Sequence, residues 1–227
     1  MKVLSLERLK FSLKYFPKIL TQFFVILLAL QLINFFFNQT MVYLQEARMA
    51  YKEDFFVPLI ILLALVGFLV QSAVKVVWTL VVCRFFIGKE DVGSYIRNYC
   101  EQGLIESLRA FMKSVLFGFL FVIPGIIKMI RYQFVVLVVA TDDSYQKRQV
   151  DALKESEQMA KGKTWPLLFL LVLFSILSLL ATSDKLITDS PLTVLGAEAG
   201  AFCINVFEAL YMYLLFNDLR SAKKVTA

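Results

Sequence analysis

The chain contains no histidine. That absence removes the commonest general base and metal ligand, so Ser-His nucleophilic catalysis, His-bound zinc and His-ligated haem are excluded. Cysteine is scarce: Cys83, Cys100 and Cys203 are the three present. Two are expected at an inner face and one inside a span, so neither a disulfide nor a thiolate metal site is implied. Charge is also sparse, at 19% of residues, and it is concentrated in short stretches between long apolar runs. That segregation belongs to membrane spans and their loops rather than to a globular surface.

What the chain does contain is apolar mass. Hydrophobic residues make up 59% of the 227, with 22 Phe and nine Tyr, and the mean hydropathy is +0.71. A soluble core of this size cannot use so much apolar surface, so the excess requires lipid. The net charge of +6 then has a different meaning from that in a soluble basic protein. The Lys and Arg flank hydrophobic runs, where they set topology and meet anionic headgroups, and no nucleic-acid partner is expected.

The pattern predicts an all-α, single-domain membrane bundle over 1–227, with about six spans, interfacial amphipathic helices and a hairpin broken by Pro and Gly. An amphipathic helix is expected over 2–17, where Leu6, Leu9, Leu13 and Phe16 recur at helical spacing. The apolar run after it is too long for a cleaved signal and is expected to remain as the first span. Spans are predicted near 19–37, 55–86, 110–127, 129–141, 165–181 and 197–216. Residues 38–54 and the stretch holding Asp184, Lys185 and Asp189 read as external loops. Lys89–Arg109 and Asp142–Lys163 read as amphipathic segments on the cytoplasmic surface. About 18 of the 24 basic residues then fall on the cytoplasmic side and about 3 outside. This asymmetry places the protein in the inner membrane with both termini cytoplasmic.

Polar residues inside spans mark the candidate site. Span two carries Gln71, Ser72, Lys75 and Thr79 on one helical face, and span six carries Glu198, Ala201, Asn205 and Glu208, continued by Met212. An ionisable group in hydrocarbon costs about 2.5 to 3.5 kcal/mol, so such groups turn inward and pair. Lys75, Lys128 and Arg131 are the candidate partners of Glu208. In the third apolar block Pro124 and Gly125 break the helix beside Lys128 and Arg131, and a break at membrane depth survives only where protein or water satisfies the backbone. These residues are candidates for a lipid contact or a polar path, against the simpler reading of interhelical ion pairs. Gly196 and Gly200 form a small-xxx-small pattern, read as packing within the chain or a dimer contact. The adjacent Asp142 and Asp143 read as helix caps rather than as a catalytic pair.

Across Pro124 to Trp165 the order Pro124-Gly125, Asp142-Asp143, Ala152-Leu153-x-x-Ser156, Gly162 and Trp165 resembles a bacterial group of small six-span proteins. These are the stand-alone YciC-type membrane proteins, similar to the membrane domain fused to some glycerophosphodiester phosphodiesterases. The resemblance implies a compact helical membrane domain without catalytic residues of its own and with a role near lipids. With no phosphodiesterase domain in view and no His, lipid hydrolysis does not carry over. Ser156 is expected to pack closely at an interface, and Gly162 to end a surface helix and turn the chain into the membrane at Trp165. The expected function is that of a non-enzymatic inner-membrane protein without metal or cofactor, engaging phospholipid, and anionic headgroups in particular, in envelope or lipid homeostasis. A small transporter or channel, a helper subunit of another membrane complex, and a homo-oligomer are the alternatives.

Overall fold

The structure, a computed structural model, describes residues 5–51, 56–88, 91–182 and 191–226. Among these residues all regular structure is helical. The elements are α1 (Leu6–Tyr51), α2 (Phe56–Ile87), α3 (Val92–Leu120), α4 (Val122–Arg131), a 3-10 turn (Tyr132–Phe134), α5 (Val135–Thr141), α6 (Asp143–Gln146), α7 (Ala152–Ala160), α8 (Thr164–Thr182) and α9 (Pro191–Thr226). Five stretches are long and apolar enough to cross a bilayer: Leu6–Leu44, Ile60–Ile87, Val122–Thr141, Thr164–Ala181 and Gly196–Lys223. The five stretches make the chain a multi-pass membrane protein, and Val25, Leu65, Phe119 and Leu179 are among the exposed apolar side chains consistent with a lipid-facing surface.

Four boundaries differ from the sequence expectation. Within the described residues the expected amphipathic helix, the first span and the supposed external loop from residue 38 all fall in α1, Leu6–Tyr51, whose two helical stretches meet at a kink at the non-helical Phe23. Between Pro17 and Pro58 the sequence contains neither Pro nor Gly, so no breaker residue ends α1 where the loop was expected, and its interruption is the kink at Phe23. Pro17 lies inside α1. From Val92 on, the surface segment expected at Lys89–Arg109 continues without a break into the first limb of the hairpin as α3, Val92–Leu120. Its start is fixed by Asp91, whose side chain accepts the Gly93 N–H at 3.0 Å.

The third difference concerns the break itself. It falls at Phe121, which is extended (φ −155, ψ 124), and not at Pro124-Gly125. Pro124 instead sits in the first turn of α4, where its missing N–H would have had no helical partner in any case. Gly125 is required for another reason. A Cβ there would lie 2.6 Å from the Gly118 Cα and 3.0 Å from the Ser114 carbonyl oxygen, so α3 and α4 cross backbone to backbone. Finally, Asp142–Lys163 is not one amphipathic segment but two short helices, α6 and α7, with a turn between them. Lys52, Glu53, Asp54, Lys89, Asp184, Lys185 and Asp189 lie outside the described residues.

One end of the bundle is tied by long-range contacts. Arg8 near the start of α1 donates to Asp218 near the end of α9 at 2.6 Å. The Tyr95 hydroxyl near the start of α3 donates to the Ala140 carbonyl at the end of α5 at 2.9 Å. Arg220 of α9 donates to the Thr141 carbonyl at 2.9 Å and faces Asp142 at 3.4 Å. The core beside this end holds the fully buried Phe134, Tyr211 and Phe216.

Candidate functional site

A cleft of about 400 Å³ with both polar and apolar lining opens between the helices of the bundle. Helix α9 contributes Glu198, Ala201, Asn205, Glu208 and Met212, whose spacing puts them on one helical face. Helix α2 contributes Gln71, Lys75, Trp78 and Thr79, also one face. The remaining lining comes from Gln31 of α1, Gln133 of the 3-10 turn, Leu137 of α5 and Ser178 of α8. Five separate parts of the chain besides α9 therefore turn a side chain toward α9.

The Lys75–Glu208 pair in the cleft is loosely held. Lys75 Nζ stands 3.9 Å from Glu208 Oε1 and 3.5 Å from Gln133 Oε1, at the outer limit for either contact. Its side chain is 64% exposed, which places it at the rim, while Glu208 is 22% exposed. Gln31 is tied more tightly: its Nε2 donates to Glu198 Oε2 at 2.6 Å. Yet Gln31 Oε1 and the Trp78 Nε1–H have no hydrogen-bond partner, although the two residues are only 9% and 4% exposed. A buried polar group in that state costs about 1–3 kcal/mol.

Lys128 and Arg131 do not reach this cleft. They converge on Glu157 of α7, with Lys128 Nζ at 2.6 and 2.7 Å from its two oxygens and Arg131 Nη1 at 3.2 Å. Lys128 also lies over the rings of Phe117 and Tyr132. Helix α7 repeats the arrangement with its other acids. Asp151 accepts from Arg109 of α3 at 2.9 Å, and Glu155 accepts from Lys223 of α9 at 2.6 Å. Ser156 is fully buried and its Oγ donates to the Arg131 carbonyl at 2.6 Å. Burial raises the Glu157 carboxyl, but Lys128 and then Arg131 outweigh it and hold the group below the usual range. Asp151 behaves alike: burial raises it, and the Leu153 N–H and the Arg109 guanidinium bring it below its ordinary value.

Of the residues singled out from sequence, Lys75, Asn205 and Glu208 meet in the cleft. Lys128, Arg131 and Ser156 meet at α7, whereas Pro124 and Gly125 lie inside α4, just after the turn at Phe121. Gly162 adopts φ +78 and ends α7 just before α8. Gly200 faces Ala181 of α8, 3.2 Å from where a Cβ would stand, whereas Gly196 faces open space. The small-xxx-small pattern is therefore half used, and within the chain. Sequence reasoning did not pick out Gln31, Trp78, Gln133 or Glu157. Gln31 and Gln133 carried a signal, being amides in apolar surroundings. Glu157 carried none, because it stands in a segment rich in both signs.

The fold and the cleft define a class: an all-helical, multi-pass membrane protein with a polar site among its apolar helices. Compared with protein-family models, curated proteins and solved structures, the chain matches none.

Proposed function

We propose that this chain is a non-enzymatic inner-membrane protein of the YciC-like type that engages phospholipid, holding a headgroup in the α2–α9 cleft, with a role in envelope or lipid homeostasis. The observation that carries the reading is a cleft bearing two carboxylates and an amine among helices whose outer faces are apolar. A headgroup is the polar object that lipid itself delivers to such a place. The cleft sets the chemistry, so the anionic-lipid attraction expected from sequence is moved to the α7 end. There Lys10, Lys14, Lys147, Arg148, Lys154 and Lys161 are exposed, and each basic residue near an anionic surface contributes about 1 kcal/mol.

The same end supports a cytoplasmic location for both termini. Five candidate spans are an odd number, whereas Arg8 and Asp218 bring the start of α1 and the end of α9 to one face. Parity is restored if α3 to α5 leaves that face and returns to it, as the Tyr95–Ala140 and Arg220–Thr141 bonds support. Counting both limbs of that hairpin gives six segments.

Native mass spectrometry of the detergent-purified chain under gentle activation tests the proposal. A defined number of retained phospholipids, reduced in Lys75→Gln and Glu208→Gln, is the expected result; a lipid-free protein overturns it. A transporter of small polar solutes is the second reading, favoured by one observation. The polar face of α9 from Glu198 to Met212 extends about 21 Å at 1.5 Å per residue, a large part of the bilayer core. Flux of amines and amino acids into liposomes, abolished by Glu208→Gln, would establish that reading, and the absence of flux removes it.

A further inference from the structure

The charges in the cleft specify more than a headgroup. Among the described lining residues Lys75 contributes a positive charge and Glu198 and Glu208 negative ones, so the cleft presents both signs. A purely anionic ligand that approaches Lys75 meets Glu208 3.9 Å from it. In a medium of low dielectric that repulsion is not screened away. A bare cation suffers the reverse at Lys75. A zwitterion lying antiparallel to the Lys75–Glu208 pair satisfies both, with its anion against the amine and its cation against the carboxylate.

Two unpaired groups leave hydrogen-bonding capacity in the same cleft, with Gln31 at Glu198, about 15 Å along α9 from Glu208. The Trp78 Nε1–H is a donor without an acceptor, and Gln31 Oε1 an acceptor without a donor; each belongs to a residue at least nine-tenths buried that lines the cleft. Neutral acceptors line the same cleft, namely the side-chain carbonyls of Asn205 and of Gln133, the latter 3.5 Å from Lys75 Nζ. A primary ammonium has three N–H donors to distribute among such oxygens. A quaternary ammonium has none and needs an aromatic cage. Among the described residues lining the cleft Trp78 is the only aromatic one, and its ring is already engaged edge-on with Phe202.

We propose that the cleft selects a primary-amine phosphodiester, the phosphoethanolamine group, with its phosphate at Lys75 and its ammonium at Glu208. This rests on the reading of the cleft as a headgroup site. The shared chemistry has two sources, an intact phosphatidylethanolamine from the bilayer and the free diester glycerophosphoethanolamine.

The test places the full chain in nanodiscs of equal parts phosphatidylethanolamine, phosphatidylcholine and phosphatidylglycerol and reads the retained lipid by native mass spectrometry. The ethanolamine lipid is expected to be enriched about fivefold over the choline lipid, a difference of one charge-assisted contact. Glu208→Gln, which keeps the side-chain shape, is expected to erase the enrichment, and Lys75→Gln to lower total retention. A melting curve for each variant verifies folding. Should Glu208→Gln unfold, Asn205→Leu in the folded protein reads the same preference, through loss of an acceptor. Added glycerophosphoethanolamine that displaces the lipid assigns the headgroup alone as sufficient; failure to displace assigns the intact lipid. Equal retention of all three lipids overturns the amine selectivity while leaving phospholipid engagement standing. Retention of no lipid overturns both.

Discussion

The α7 clasp and the α2–α9 cleft both hold charged side chains, and they hold them in opposite ways. At α7 three acids, Asp151, Glu155 and Glu157, meet cations from α3, α9 and α4 at 2.6 to 2.9 Å. The Ser156 hydroxyl adds a bond to the α4 backbone. Each contact joins elements that are far apart in sequence. In the cleft the Lys75–Glu208 pair is open to 3.9 Å, and a buried donor and a buried acceptor stand unpartnered. Short, complete pairing stabilises a unique arrangement; loose, incomplete pairing costs free energy that a ligand can recover. The first region therefore reads as architecture and the second as a site. For Lys128 and Arg131, considered from sequence as lipid contacts, the architectural role has the stronger geometry.

Mutations can break this comparison or sharpen it. The largest effect is expected at the hairpin that the clasp holds: Gly125→Val drives a side chain into the Gly118 backbone and should cost about 3 kcal/mol, read as a lowered melting temperature in detergent. Glu157→Gln comes next. It leaves Lys128 and Arg131 facing a neutral amide and should cost about 2 kcal/mol, below the figure for a fully buried pair because these groups are partly exposed.

Acid should act on the clasp in the same direction as that mutation. The Glu157 and Asp151 carboxyls are held below their ordinary values when folded. Their contribution is therefore complete above the ordinary carboxylate range and is lost as pH falls through the depressed folded values. Melting temperature followed downward in pH should fall in the wild type and fall less in Glu157→Gln.

The smallest effects on stability belong to the cleft. Glu208→Gln and Lys75→Gln should each lie within about 0.5 kcal/mol of wild type, since a contact at 3.9 Å with one exposed partner contributes little. Their effect should appear in lipid retention instead. If Glu208→Gln destabilised the fold as much as Glu157→Gln, the distinction between clasp and site would fail. Gly196→Ala, facing open space, should change neither quantity and serves as the control for Gly200→Leu, which meets Ala181.

Helical class, membrane residence and the polar faces of α2 and α9 were legible without coordinates, because each depends on local periodicity alone. Residues i, i+3, i+4 and i+7 share a face wherever the helix lies. So Gln71, Lys75 and Thr79, and Glu198, Asn205 and Glu208, could be grouped by spacing. The same local rules misplaced the break. Pro124 reads as a breaker, but its position in the first turn of α4 costs no hydrogen bond, and the extended residue is Phe121.

Which stripe faces which was decided elsewhere. Glu208 had three candidate partners by charge, and only packing selects Lys75, because α7 brings Glu157 to the other two. Gln31 and Gln133 joined the cleft from elements more than sixty residues away from Glu198 and Glu208. The sequence by itself determined the helices, their solvent and the faces they would bury, since these follow from the side chains of each segment. The tertiary structure alone decided the pairing. The register of one helix against another is set where side chains are smallest, as at Gly118 and Gly125, and that register fixes which distant charges come within reach.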